Sequence, residues 1–143
     1  MKWPTRSSAR PAVGGIRHHV GGHVPVSVGE LLDKVSILRI KAQRITDPDK
    51  LAAVARELAQ LEQLVPAESE LWLHRLEGVN GKLWDIEDQI RVKERERDFG
   101  PEFVSLARSV YFTNDQRAEI KREIDTAHGS ELAEVKSYED YAA

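Results

Sequence analysis

The sequence contains no cysteine among its 143 residues. Disulfide bonds, thiolate nucleophiles, iron–sulfur clusters and cysteine-based zinc sites are therefore excluded, and the composition suits a reducing compartment. Long apolar runs are also missing, and none approaches the roughly 20 residues that a membrane helix needs. Residues 1–24 lack the apolar centre of a secretory signal. We therefore expect a soluble, cytoplasmic protein that makes no membrane contact.

Neither sign of charge dominates, since 21 basic residues stand against 24 acidic ones and the net charge is −3. This balance gives no general attraction for nucleic acid. The exception is the segment 1–24, which holds four of the nine glycines and no acidic residue. Its four bases are Lys2, Arg6, Arg10 and Arg17. We expect this segment to be a flexible basic tail and the only place where nucleic acid could bind, with residues 25–143 forming a single domain.

Apolar residues at steps of three and four predict that this domain is all-α. The S-x-x-E pattern at 27–30 is typical of a helix N-terminus, and apolar side chains then recur along 31–45. Asp47 and Pro48 are predicted to cap and begin a second helix, whose apolar positions occupy 51–65. Because the connection is so short, the two helices are predicted to form an antiparallel hairpin.

The rest of the domain is predicted to contain a long third helix and one or two shorter ones. An unbroken helix over residues 67–97 would measure about 46 Å, and Gly78 and Gly81 near its middle could allow a kink. Residues 101–128 are predicted as one helix or two, because Thr113 could cap a new helix within them. Residues 132–138 have helical spacing and could dock on the bundle as a final turn.

The third helix carries polar side chains beside its apolar stripe. Trp84, Glu87, Asp88 and Arg91 could form one wall of a pocket, where a carboxylate next to an arginine could act as a general base or hold a substrate hydroxyl. The alternative interpretation is a solvated margin in which Glu87 and Arg91 form a helical pair worth about 0.2–0.5 kcal/mol.

A second candidate wall lies on the fourth helical region. Two cations and two neutral donors there could converge on a phosphate or carboxylate, although an exposed, charged helix would show the same pattern. Lys34 on the first helix lies between core positions, and its ammonium group would need a charged or hydrogen-bonding partner if it were buried. These candidate ligand-binding residues are Lys34, Arg108, Tyr111, Asn114, Arg117 and Lys121.

Catalysis by metal or by nucleophile has no support in the sequence. His18, His19 and His23 cluster only in the glycine-rich tail, with no helix to fix their geometry, so we expect adventitious binding at most. Asp85 and its acidic neighbours occupy consecutive helical positions. Their side chains therefore point in different directions around the helix and cannot all coordinate one metal ion. We predict no catalytic residue, no metal site and no cofactor.

Four motifs carry a resemblance to a known family. They are the residues Val28-Gly29-Glu30-Leu31-Leu32-Asp33-Lys34, the stretch from Asn80 through Leu83-Trp84 and Glu87-Asp88 to Arg91, the stretch from Ala107-Arg108 through Tyr111 and Asn114-Asp115 to Lys121, and Glu134-x-Lys136-x-Tyr138. The chain resembles, over about residues 25–138, a family of small helical proteins of bacteria and phages that form a domain of unknown function. The resemblance implies an association with glycosyltransferases and tetratricopeptide proteins of surface-polysaccharide assembly. From the family we expect an asparagine at the position where this chain has Asp125.

The function expected from these features is that of a non-catalytic binding or assembly module that forms a homodimer through its long amphipathic helices. The alternative is an enzyme or binding protein for a phosphorylated or carboxylated metabolite such as a nucleotide sugar. The two differ in one geometric respect. An anionic ligand requires Lys34, Glu87, Arg91, Tyr111 and Lys121 to face one concave pocket, whereas their dispersal over convex surface argues against it.

Overall fold

The computed structural model describes residues 21–130, 137 and 139–141. Over this part of the chain the regular structure consists of four α-helices and no strand, which confirms the predicted all-α class. The helices are α1 (Val28–Arg44), α2 (Pro48–Glu62), α3 (Glu70–Glu96) and α4 (Pro101–His128). None of these four helices is both long and apolar enough to span a membrane. The predictions for most of the basic tail and for the docked final turn lie outside the described residues.

The helix ends follow the local sequence closely. The Ser27 hydroxyl accepts a hydrogen bond from the Glu30 amide at 3.1 Å, and the Asp47 carboxylate caps α2 in the same way. The helix α3 is continuous through both of its glycines, and α4 is one helix rather than two. Thr113 lies buried within α4 and therefore does not cap a new helix there. Gly129 ends α4 with φ of 60°, the left-handed conformation that glycine adopts without strain.

α1 is the central helix of the bundle. It pairs with α2 on one side and packs against both α3 and α4 on the other, whereas α2 has its helix–helix contacts with α1. Three helices supply the buried apolar core, and leucines of α2 pack on its outer edge. The core residues are Leu32, Val35, Leu73, Leu76, Val79 and Ile124.

The N-terminus of α1 is held by the far end of the chain. The Gly29 amide donates to the Asp125 carboxylate at 2.6 Å, and the Val28 amide donates to the Ser130 hydroxyl at 3.3 Å. A carboxylate at this position also interacts favourably with the helix dipole. A Cβ atom on Gly29 would lie only 2.6 Å from the Lys121 carbonyl oxygen, so glycine permits this close approach of α1 and α4.

The helices α3 and α4 extend past the end of α1. At that end, Arg44 forms an ion pair with Asp85. The later part of α3, the turn and the early part of α4, residues 88–112, are called the distal hairpin below. Every residue in this stretch is half-buried or exposed. Among the described helices, none fills the groove there as α1 does elsewhere, and the ring of Tyr141 packs on Tyr111 and Phe112 at the near end of the hairpin.

Candidate functional site

A buried charged cluster joins α1, α3 and α4. The Asp33 side chain, whose residue is only 1% exposed, accepts hydrogen bonds from Asn80 Nδ2 at 2.9 Å and from Arg117 Nε at 2.9 Å. A second bond from Arg117 Nη2 makes the arginine–carboxylate contact bidentate, which is the strong geometry for such pairs. The second Asn80 amide hydrogen bond goes to the Ser36 hydroxyl at 2.9 Å. This polar cluster ties the three helices together at one level of the bundle.

The cluster is well satisfied, as a desolvated charge must be. No buried side-chain nitrogen or oxygen in the described part of the chain lacks a hydrogen-bond partner. The Ser36 hydroxyl completes the arrangement by donating to the Asp33 carbonyl oxygen at 2.6 Å. Because the Arg117 charge is already balanced by Asp33, this arginine brings little net positive charge to its surroundings.

A cleft of about 290 Å³ opens beside the cluster, where the C-terminal half of α1 meets α3 and α4. Its apolar lining consists of two isoleucines of α1 together with a leucine and a tryptophan of α3. Its polar lining consists of two amides, a carboxylate and a guanidinium, contributed by α3 and α4. The lining residues are Ile37, Ile40, Asn80, Leu83, Trp84, Glu87, Asn114 and Arg117. The cleft therefore combines an aromatic surface with hydrogen-bonding groups of both kinds.

Four of the ten predicted site residues meet in this cleft, namely Trp84, Glu87, Asn114 and Arg117. The fold thus brings together parts of both predicted walls. Helical spacing accounts for this, since Trp84 and Glu87 are three residues apart on α3, as are Asn114 and Arg117 on α4. One pair lines the cleft from α3 and the other from α4.

The other predicted residues on α1 and α4 do not line this cleft. Lys34 is exposed, in contrast to the buried or half-buried position considered from the sequence, and it forms an ion pair with Glu57 at 3.0 Å. Lys121 is buried but pairs with Glu30 at 2.7 Å near the opposite end of α1. Arg108 stacks over an aromatic ring of the same helix, 5.9 Å from its centroid.

The remaining three predicted residues point elsewhere as well. The side chain of Arg91 is 78% exposed and reaches Glu87 only at 3.9 Å. Asp88 lines a different, open cleft in the distal hairpin. Tyr111 packs against the ring of Tyr141, with centroids 5.3 Å apart. Of the five residues that an anion pocket would need to bring together, only Glu87 faces the cleft, so the geometry argues against convergence on a phosphate.

The sequence interpretation missed several members of the site. Asp33 and Ser36 were not selected as candidates, although they form the buried end of the cluster. Their position in the sequence could have identified them, because they lie next to Leu32 and Val35 on the buried side of α1. A carboxylate at such a position must have a partner, and the matching arginine, Arg117, is distant in sequence.

The distal hairpin contains a second cleft of about 410 Å³ between α3 and α4. Lys93 bridges its edge, with ion pairs to Asp98 at 3.0 Å and to Glu102 at 2.5 Å. These two carboxylates raise the pKa of the Lys93 ammonium, with the Glu102 hydrogen bond as the larger cause. The hydrogen bond from Lys93 in turn lowers the pKa of the Asp98 carboxyl. Lys93 thus stabilises the end of the hairpin, while Val92 and Leu106 leave an apolar strip in the cleft.

Within the described residues, no three side chains of the metal-binding types lie close enough to hold one ion. The histidines at 18 and 19 lie outside that part of the chain. Comparison with known proteins adds no second line of evidence, since no family model, no curated protein and no solved structure matches this chain.

Proposed function

We propose that this protein is a non-catalytic assembly module that associates with a second copy of itself through the distal hairpin. The observation that carries the proposal is the exposure of large apolar side chains there, with Phe99 at 52% and Val104 at 51%. Val92 and Phe112 are also exposed. Several exposed large apolar side chains within one short hairpin are characteristic of an interaction site on a small domain.

A second copy suits this surface because two antiparallel helices can complete a four-helix bundle with an equivalent pair. A two-fold axis would place the same patch on both sides of the contact. The hairpin carries both signs of charge, including Asp88 and Glu102 against Arg91 and Arg95, so self-pairing need not juxtapose like charges. A strongly charged partner finds no matching field of one sign there.

The dimension of the hairpin sets the expected strength of this association. Two helices about 10 Å wide that extend roughly 15 Å past α1 present a face of roughly 300 Å². A standard interface buries about 800 Å² per partner. We therefore expect a weak, reversible dimer with a dissociation constant of roughly tens to hundreds of micromolar.

The enzyme alternative has less support. Lys34, Lys121 and Arg117 each contact a carboxylate, so these cations do not combine into a site for a phosphorylated or carboxylated metabolite. The proposed setting is the bacterial cytoplasm, beside the machinery of surface-polysaccharide assembly. The link to polysaccharide assembly rests on the resemblance that the four motifs carry, and the cytoplasmic setting rests on the composition.

Sedimentation velocity over roughly 5 to 500 µM tests the proposal. We expect the wild-type weight-average sedimentation coefficient to rise with concentration, and the Val104→Glu variant to weaken self-association at least tenfold. Leu71→Glu is the matched control, because Leu71 is 81% exposed on α3 outside the distal hairpin. Both glutamates suit an exposed helical position, and far-ultraviolet circular dichroism checks that helix content is unchanged.

Two outcomes contradict self-association through this surface. One is a wild-type protein that remains monomeric throughout the concentration range. The other is a Leu71→Glu variant that weakens the dimer as much as Val104→Glu does, which would place the contact elsewhere.

A further inference from the structure

The cleft beside the Asp33 cluster has a composition that the assembly proposal leaves unexplained. Its apolar lining includes the side chain of Leu83 and the indole of Trp84, and the Arg44 guanidinium lies over that indole at 5.7 Å from the ring centroid. The apolar surface that remains open to water would be better covered. The polar lining includes Asn114, whose side-chain amide makes no hydrogen bond within the described part of the chain. A half-buried amide beside an indole can both donate and accept. These apolar and polar groups border one space that a small molecule can enter.

The hydrogen-bonding capacity of the cleft is mixed. Both amide hydrogens of Asn80 are used inside the cluster, so this side chain can offer only its carbonyl oxygen to a ligand. Glu87 adds a carboxylate that accepts, and Arg117 adds a guanidinium that donates. Hydroxyl groups match such a lining well because each one is both a donor and an acceptor.

The charge of the cleft disfavours an anion. Arg117 is neutralised by the bidentate contact with Asp33, and Glu87 contributes a negative charge that Arg91 approaches only to 3.9 Å. Arg44 lies over the Trp84 ring but is paired with Asp85 at 2.5 Å. A phosphate or carboxylate placed in the cleft would therefore meet the Glu87 carboxylate, while the neighbouring guanidinium groups are already balanced by aspartates. The polar groups therefore suit a neutral molecule.

The size of the cleft restricts the ligand further. Its volume of about 290 Å³ lies just below the range of about 300–1,000 Å³ that ligand pockets occupy. One ring fits this volume better than a dinucleotide-sized molecule does. A six-membered polyol ring has an apolar face of C–H groups and a rim of hydroxyls, so it offers a surface to the apolar lining and hydrogen-bonding groups to the polar lining.

We propose that this cleft binds one uncharged sugar ring, whose C–H face packs on Trp84 and whose hydroxyls bond to Asn114, Glu87 and the Asn80 carbonyl oxygen. The site lies beside α1 and does not require the dimer. A protein that fails to bind sugar can therefore still dimerise, and a protein that fails to dimerise can still bind sugar, so the two proposals are tested independently.

Titration followed by ¹H–¹⁵N NMR tests this site directly. The probes are methyl α-D-glucopyranoside, methyl α-D-mannopyranoside, N-acetylglucosamine and L-rhamnose, each to 100 mM, with glucose 1-phosphate and inorganic phosphate in parallel. We expect at least one neutral sugar to shift the Trp84 indole and Asn114 amide signals saturably, at millimolar affinity. The indole of Trp72, which lies under Arg75 away from the cleft, should not move.

Substitution on α4 separates direct binding from a general change in the protein. Asn114→Ala should weaken the sugar at least fivefold, whereas Gln116→Ala, at an exposed position two residues away, should leave the affinity unchanged. Trp84→Phe assigns the indole signal and should also weaken binding. Retention of the remaining spectrum in each variant shows that the fold is intact.

The proposal is overturned if none of the four neutral sugars gives a saturable shift, or if Asn114→Ala binds as tightly as the wild type. It is also overturned if phosphate or glucose 1-phosphate binds more tightly than every neutral sugar, because that result would establish an anion site. The proposal is supported if a neutral sugar binds at least as tightly as phosphate and glucose 1-phosphate do.

Discussion

The substitution Asp33→Asn tests whether the buried cluster holds the three helices together. Asparagine keeps the shape of the side chain but removes its charge, and its amide group would face donors on Arg117 or Asn80. Removal of one partner from a buried ion pair costs about 3–5 kcal/mol, because the other charge stays desolvated. The side chain of Arg117 is 28% exposed, so water relieves part of this penalty. We therefore expect a loss near the lower end, about 3 kcal/mol.

Urea denaturation followed by circular dichroism at 222 nm measures this loss. With a slope of about 1–3 kcal/mol/M for a small domain, the midpoint should fall by roughly 1 to 3 M. Lys34→Gln is the matched control on the adjacent residue, since it removes an ion pair whose lysine side chain is 59% exposed. An exposed pair contributes about 0–1 kcal/mol, so the control should shift the midpoint by a third as much or less.

A double-mutant cycle between Asp33→Asn and Arg117→Gln isolates the contact between the two side chains. The double variant should lose less stability than the two single losses added together, because neither charge is then left buried alone. A cost below about 1 kcal/mol for Asp33→Asn, or a coupling energy near zero in the cycle, would refute the argument that this pair holds the helices in register.

Three further predictions follow from the geometry. Gly29→Ala should destabilise the protein by about 1–3 kcal/mol in the same urea assay, because its Cβ would lie 2.6 Å from the Lys121 carbonyl oxygen. Gly78→Ala should instead stabilise it by about 0.5–1 kcal/mol, since no atom lies within 4 Å of the added Cβ, and a loss there would show that the helix is strained. The hydrogen bond to Asp115 raises the pKa of Tyr141 above its ordinary value of 10.0, so the stabilisation is complete below pH 10 and is lost as the pH rises through the raised pKa. Phenolate absorbance near 295 nm should show a late-titrating tyrosine that Tyr141→Phe removes, and identical titrations would contradict the contact.

The sequence predicted the helices because their signals are local. Periodic apolar residues and the caps at Ser27 and Asp47 depend on neighbours within a turn, and each lies where the pattern indicated. The pattern left open whether residues 101–128 form one helix or two. The buried position of Thr113 decides this, and it depends on packing rather than on capping chemistry.

The candidate site was predicted only in part, because its assembly depends on which helices cross at which level. Helical spacing correctly grouped Trp84 with Glu87, but it could not show that Lys121 faces the opposite end of α1 from the cleft. The partner of Asp33 lies 84 residues away in the chain. No local pattern encodes a contact of that separation, so the predicted cations were assigned to a ligand although the fold uses them for internal pairing.

The capping of α1 by residues from the other end of the domain has a consequence for folding during synthesis. The Gly29 and Val28 amides bond to side chains 96 and 102 residues later. While the ribosome is still making α3, these amides have no such partner and must exchange hydrogen with solvent. The local cap from Ser27 can form early, but these two hydrogen bonds can form only after the last turn of the fourth helix has left the exit tunnel.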